Sequence, residues 1–273
     1  MSETNASSVV SSYLRRRSFW VVLFTLCCSI RALGGAEEIP PLNKLVLWAI
    51  STMPSGVGYD ASQQAVDRLA ASVTVSKDGK TIEQDLSVAK ANFCSGATYL
   101  VFLRVIEELR SRDSLKLLPK VLARYAHLGV ADGEEIFGRW NANGPGTAKL
   151  FAELRCGTNF TSYEKARPGD FMKMWWSNEI GSKERGHLVV YLGKTILKGK
   201  EAVRFWSSNN PDGYGVKTVP KTRIKRVLFS RLDKYRRLKD AGKLSPKNVF
   251  LADMLRKPFT WDQVVRECRV SEK

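Results

Sequence analysis

The chain has 273 residues, of which 44% are hydrophobic and 26% charged, which excludes disorder over its whole length and leaves room for one sizeable core or two small ones. The 44 Lys and Arg outnumber the 27 Asp and Glu, for a net charge of +17. Such a surface favours acidic partners: nucleic acid, anionic lipid or the acidic polymers of a cell wall.

Taken in chain order, the first feature is a leader. Arg15, Arg16 and Arg17 precede an apolar run at residues 19–30, and Ala32, Gly34, Gly35 and Ala36 follow. A basic stretch, a short apolar stretch and small residues at a cleavage point make up a secretory signal peptide. The 12-residue run is too short to span a bilayer, and it lacks the polar positions of a core helix. Arg16-Arg17-Ser18-Phe19 also fits a loose twin-arginine pattern. No small residue directly precedes Cys27 or Cys28, so a lipoprotein anchor is unsupported. Residues 1–36 are therefore assigned to a signal peptide and residues 37–273 to one exported domain, periplasmic or secreted. Loss of Arg15, Arg16, Arg17 and Arg31 with Glu3 lowers the net charge of +17 by three. Export argues against nucleic acid as partner and for an anionic wall polymer, with no stable membrane anchor. Three cysteines remain, Cys94, Cys156 and Cys268. An odd count leaves at least one free thiol, while Cys156 and Cys268 could pair in an oxidising compartment.

Residues 44–51 and 61–72 read as helices, separated by the turn Met53-Pro54-Ser55-Gly56. A turn is expected at residues 76–80. Residues 93–109 give the strongest helical pattern, with Ala97, Leu100, Val101, Leu103, Val105 and Ile106 apolar. Residues 115–128 read as a helix with Pro119 in its first turn. Two short helices at 132–140 and 147–154 flank the loop at 141–146. Strands are expected at 169–176, 187–192, 202–207 and 227–230, which are rich in aromatic and branched residues. Helices followed by an antiparallel sheet make an α+β domain. No internal repeat, low-complexity tract or interdomain linker is evident.

A thiol hydrolase needs a thiolate, a base and a group that orients the base. Cys94 stands where the strong helix begins, where backbone N–H groups and the helix dipole favour a thiolate. Asn92 is a candidate cap, and small Ser95 and Gly96 let a carbonyl approach backbone donors in support of an oxyanion. Helical periodicity also places Cys94 near the apolar face, so a buried structural thiol is the competing reading. Of the two histidines, His127 ends a helix, where a cation at the C-terminal dipole explains it. His187 opens a strand and suits a base. The next strand presents Val203, Phe205, Ser207 and Asn209 on one face. Asn209 can accept from the imidazole N–H, with Ser207 as the fallback, although Asn209-Asn210-Pro211-Asp212-Gly213 is equally turn chemistry.

Three blocks now stand together: Phe93-Cys94-Ser95-Gly96 opening a helix, Ala166-Arg167-Pro168-Gly169-Asp170-Phe171, and Gly186-His187-Leu188-Val189-Val190-Tyr191-Leu192-Gly193. In order and character they resemble the NlpC-type family of papain-like murein peptidases. The resemblance implies a papain-like fold and cleavage of amide bonds in peptidoglycan stem peptides through a thioester. It implies Cys94 as nucleophile and His187 as base, with neither cofactor nor metal. The chain departs from the family in having Phe93 where Asp is usual, and in offering Ser207, Ser208 or Asn209 where His is common. Upstream, only Gly56-Val57-Gly58-Tyr59 answers to the family's Gly-rich stretch with Tyr. The long span from Cys94 to His187 is assigned to a helical insertion at about residues 115–163.

Residues 221–257 carry a dense set of cations that reads either as a hold on an anionic polymer or as a solvated helical face. Trp175, Trp176 and Trp206 suit stacking on sugars or burial in a core. The alternative to a hydrolase is a catalytically silent, cationic wall-binding module on the same fold. A nucleic-acid-binding protein with a misread leader comes third.

Overall fold

A computed structural model describes residues 38–271. The signal peptide assigned to residues 1–36, with its arginines, Cys27, Cys28 and cleavage point, lies outside the described residues. Helix α1 (Pro41–Ser51) opens on a proline, whose missing N–H costs nothing at the first helical position. A short strand β1 (Gly56–Val57) follows, then α2 (Gln63–Ala71), where the Ser62 side chain accepts from the Ala65 N–H as a cap. The turn expected at residues 76–80 closes a hairpin of β2 (Val73–Val75) and β3 (Ile82–Gln84).

Helix α3 (Cys94–Ser111) is buried on nearly every side, from Ser95 through Leu109. A helix that is apolar all round belongs at the centre of a core. Three shorter helices follow: α4 (Pro119–Ala126), α5 (Glu135–Asn141) and α6 (Gly146–Leu154). The later half supplies β4 (Gly157–Phe160), β5 (Phe171–Trp175), β6 (Gly186–Leu197), β7 (Lys200–Asn209), β8 (Gly213–Pro220) and β9 (Arg226–Leu232). With β1 they form an antiparallel sheet in the order β1-β8-β7-β6-β5-β9-β4. The chain ends in 3-10 turns at Lys221–Arg223 and Tyr235–Lys243 and the helices α7 (Val249–Ala252) and α8 (Trp261–Glu267). The architecture is α+β, as the sequence reads.

Two-residue alternation divides the sheet between two cores. Phe171, Val190 and Trp206 pack with α3, whereas Met172, Val189 and Phe205 pack on the opposite face with Phe229. A third cluster joins Trp175 to Met254, Val264 and Cys268 near the C-terminus. Lys173 lies opposite Leu188, which belongs to the α3 core, so alternation brings a cation onto the face where α3 begins.

One expectation needs correction, and two readings left open by the sequence are narrowed. The segment at residues 115–163 is not simply a helical insertion: it contributes β4, which pairs with β9 as the sheet's terminal strand. Its Trp140 stacks on Phe102 at 4.7 Å and meets Phe171 edge-on at 4.9 Å, so the segment is part of the main core. Cys156 and Cys268 do not pair: both are free and buried, in different core clusters. The cations of residues 221–257 spread over β9, the 3-10 turns and the segments between elements rather than one helical face, and many are neutralised. Arg231 meets buried Asp170 at 2.7 Å, Arg237 and Lys243 meet Asp240, and Arg256 and Lys257 meet Asp253. Among the described residues no helix is long and apolar enough to cross a membrane.

Candidate active site

The start of α3 is held by its neighbours rather than by a side-chain cap. Phe93 occupies the cap position in extended conformation, with no side-chain cap bond. Asn92, expected as the cap, instead accepts the Phe93 N–H at 2.7 Å and donates to the Tyr214 hydroxyl at 3.1 Å. Its carbonyl accepts from the Ser208 hydroxyl at 2.5 Å and from the Asp60 N–H at 3.3 Å. These bonds tie β7, β8 and the segment after β1 to the residues that deliver Cys94. Gly96 is required here: a Cβ would stand 2.8 Å from Leu69 and collide with the Asn92 amide oxygen. Helical geometry leaves the N–H groups of Cys94, Ser95 and Gly96 without intrahelical acceptors, pointing outward beside the thiol.

His187 is the second residue of β6, opposite Met174 of β5. Its ring lies near-parallel to Trp176, with centroids 6.3 Å apart, and edge-on to Phe205 at 5.7 Å. Its Nε2 lies 3.2 Å from Asn209 Oδ1. The Asn209 amide nitrogen donates to the carbonyls of Ser207 at 3.1 Å and Gly215 at 2.9 Å. That fixes the orientation of the amide, so its oxygen must face the imidazole and Nε2 must carry the proton. Nδ1 is then the nitrogen left for the thiol. Ser207 holds a different post: its hydroxyl donates to the Leu188 carbonyl at 2.9 Å and fastens β7 to β6 beside the histidine. The Ser95 hydroxyl donates to Asn141 Oδ1 at 2.6 Å, so Ser95 faces the site through its backbone N–H.

Cys94 is half-buried. Burial by itself would raise its thiol. The charge and hydrogen bond of His187, the Leu188 N–H and the charge of Lys173 together outweigh burial and hold the thiol down at about 7. Burial pushes Cys156 and Cys268 up instead, with no cation strong enough to reverse it. The three thiols therefore separate into one activated and two inert.

Cys94 opens into a cleft of about 550 Å³ whose walls include Tyr59, Asn141, Lys173, Trp176 and Arg185. Trp175 and Trp206 are core residues, so of the three tryptophans considered for sugar stacking only Trp176 lines the cleft. Four polar residues here escaped the sequence reading in these roles. Tyr59 is brought in by its N–H bond to the Pro211 carbonyl at 3.1 Å, and burial followed by the Cys94 charge pushes its hydroxyl up to about 12. Lys173 pairs with Glu184 at 2.6 Å, both nearly buried. Glu184 also accepts from Trp175 Nε1, the Gly144 N–H and the Gly181 N–H at 3.0, 2.7 and 3.1 Å. Burial pushes the Asp132 carboxyl up, against the Asn143 N–H that it accepts at 3.0 Å. One signal for Lys173 was visible: a lone cation inside the apolar strand Phe171-Met172-Lys173-Met174-Trp175. Among the described residues no group of His, Cys, Asp or Glu is arranged to hold a metal ion. No protein-family model, curated protein or solved structure matches the chain.

Proposed function

We propose that the chain is a cysteine hydrolase of the papain-like, NlpC-type kind that cleaves amide bonds in peptidoglycan stem peptides. The observation that carries this reading is the convergence of Cys94, His187 and Asn209, with the thiol lowered to about 7 at a helix start. The thiolate attacks the amide carbonyl carbon, and the developing oxyanion meets the N–H groups of the first turn of α3. Imidazolium at His187 gives its proton to the leaving amine. A thioester on Cys94 remains. Water, deprotonated by His187, attacks it and frees the carboxylate and the thiolate. Asn209 fixes the tautomer throughout and does not itself react.

The choice of substrate is supported by the three sequence blocks that resemble murein peptidases, by the leader and by the cationic surface. Lys173 and Glu184 in the cleft wall neutralise each other, which leaves exposed Arg185 as the cation there that suits a substrate carboxylate. On this reading the protein is exported, to the periplasm or beyond the cell. Incubation with purified peptidoglycan, followed by mass analysis of the soluble products, tests it. Stem-peptide fragments carrying one added water per broken amide are expected, and none with Cys94→Ser. Binding to the wall without any release of fragments would favour the silent wall-binding module.

A further inference from the structure

A second concavity, of about 540 Å³, lies away from the cleft. Tyr163, Ile224 and Val227 line it and pack with the core cluster on the sheet face opposite α3. Its charged rim is formed by Lys200, Lys221, Lys225 and Arg226, with Glu201 as the carboxylate among the lining residues. Glu201 pairs with Lys221 at 3.0 Å. Among the described residues no ion pair neutralises Lys200 or Lys225, and both are exposed, whereas the Arg226 guanidinium lies over the Trp261 ring at 5.2 Å. The surrounding sequence is as one-sided: residues 194–226 hold nine Lys and Arg against Glu201 and Asp212. This contrasts with residues 231–257, where carboxylates answer many of the cations.

We propose that this groove binds a polyol-phosphate chain, a linear polyanion whose phosphodiesters lie against Lys200, Lys221 and Lys225. Glu201 offsets only part of the like charge around the groove, and an anion of regular charge spacing relieves the remaining repulsion. The single aromatic ring lining the groove, Tyr163, is covered by the Lys221 ammonium at 5.1 Å. The ring also packs against Tyr191 and Phe229, so it is a poor platform for a stacked base, which favours a base-free polymer over single-stranded nucleic acid. The connector that carries Lys221 and Lys225 also carries Arg223, whose guanidinium lies 5.5 Å from the Trp176 ring of the cleft. One connector thus walls the groove and touches Trp176 of the cleft. The inference goes beyond the hydrolase reading and does not require Cys94 to react.

The test is fluorescence anisotropy with a labelled glycerol-phosphate oligomer and the full mature chain, run in both wild-type and Cys94→Ser protein so that failure of the hydrolase reading leaves it intact. A groove variant, Lys200→Gln with Lys221→Gln and Lys225→Gln, is compared with a control variant of equal charge change, Lys234→Gln with Arg236→Gln and Lys239→Gln. The groove variant should bind at least tenfold more weakly and the control within twofold of wild type. Wild-type affinity should fall about 20-fold from 50 to 200 mM salt, and the groove variant should lose most of that dependence. Equal weakening in both variants, or none in the groove variant, would overturn the proposal. Displacement of the probe by a single-stranded oligonucleotide of equal charge, or by anionic vesicles, at no higher a charge concentration than the unlabelled oligomer requires would overturn the choice of ligand.

Discussion

A thiol at about 7 is half ionised at neutral pH, whereas an ordinary cysteine near 8.5 is thiolate to roughly a few per cent. Iodoacetamide should accordingly label Cys94 with a midpoint near pH 7 and leave Cys156 and Cys268 untouched in the native state. His187→Ala removes both an opposing charge and a hydrogen bond, so the midpoint should rise by about one pH unit or more. Lys173→Gln should raise it less. The measurement is labelling rate against pH, with mass mapping of the modified peptide. The second expectation concerns the orienting group. Asn209→Ala should lower turnover roughly 10- to 100-fold, since the residue holds a tautomer and does not react. Ser207→Ala, which loses only the bond to the Leu188 carbonyl, should cost about 1 kcal/mol of stability and leave turnover nearly unchanged. Equal effects of the two on turnover would remove the distinction. Cys94 and His187 stand out in the sequence because each is scarce and each opens an element. Asn209 is ambiguous there, since the last residue of a strand and the first of a turn have the same composition. What separates it from Ser207 is the bond from its amide nitrogen to Gly215, on a strand the sequence reading did not contain.

At the scale of elements, the cleft depends on contacts between segments far apart in the chain. Glu184 joins three of them: β5 through Lys173 and Trp175, the loop at Gly144 and the turn at Gly181. Burial alone would raise its carboxyl. The charge and hydrogen bond of Lys173, with the Trp175 and Gly144 donors, reverse the effect and hold it below the ordinary carboxylate range. A depressed carboxylate contributes stability that is complete above its unfolded value of about 4.3 and is lost as pH falls through the folded value. Glu184→Gln should therefore destabilise the protein by about 3 kcal/mol at pH 7. The gap between variant and wild type should close as pH falls below about 4. Urea unfolding across that range checks both statements, and a gap independent of pH would contradict them. The helices α1 to α6 were legible because their apolar spacing and the proline at 119 are local signals, although α1 begins at Pro41, three residues before the expected start. β2, β3 and β4 were not, being three or four residues long and defined by partners rather than by pattern. β8 was hidden by its own sequence, Gly213-Tyr214-Gly215-Val216-Lys217, whose glycines read as turn.

For the whole molecule, net charge was plain from composition but its distribution was not. Ion pairs neutralise much of residues 231–257, and the unanswered cations gather instead at residues 194–226. Such neutralisation depends on which carboxylates the fold brings close, and Asp170 beside Arg231 is 61 residues distant in sequence. The envelope assignment rests on the leader, and N-terminal sequencing of the exported protein should begin between residues 35 and 38. An intact Met1 on the mature protein would contradict it. The central claim is that hydrolysis passes through the Cys94 thiolate. Its most direct test is a titration in which iodoacetamide is added in fractions of one equivalent, and the protein is divided between peptide mapping and a peptidoglycan-release assay. The account predicts that the fraction of Cys94 alkylated equals the fraction of release activity lost, reaching zero activity at one label per chain. Fragment release that persists in fully Cys94-labelled protein would contradict it.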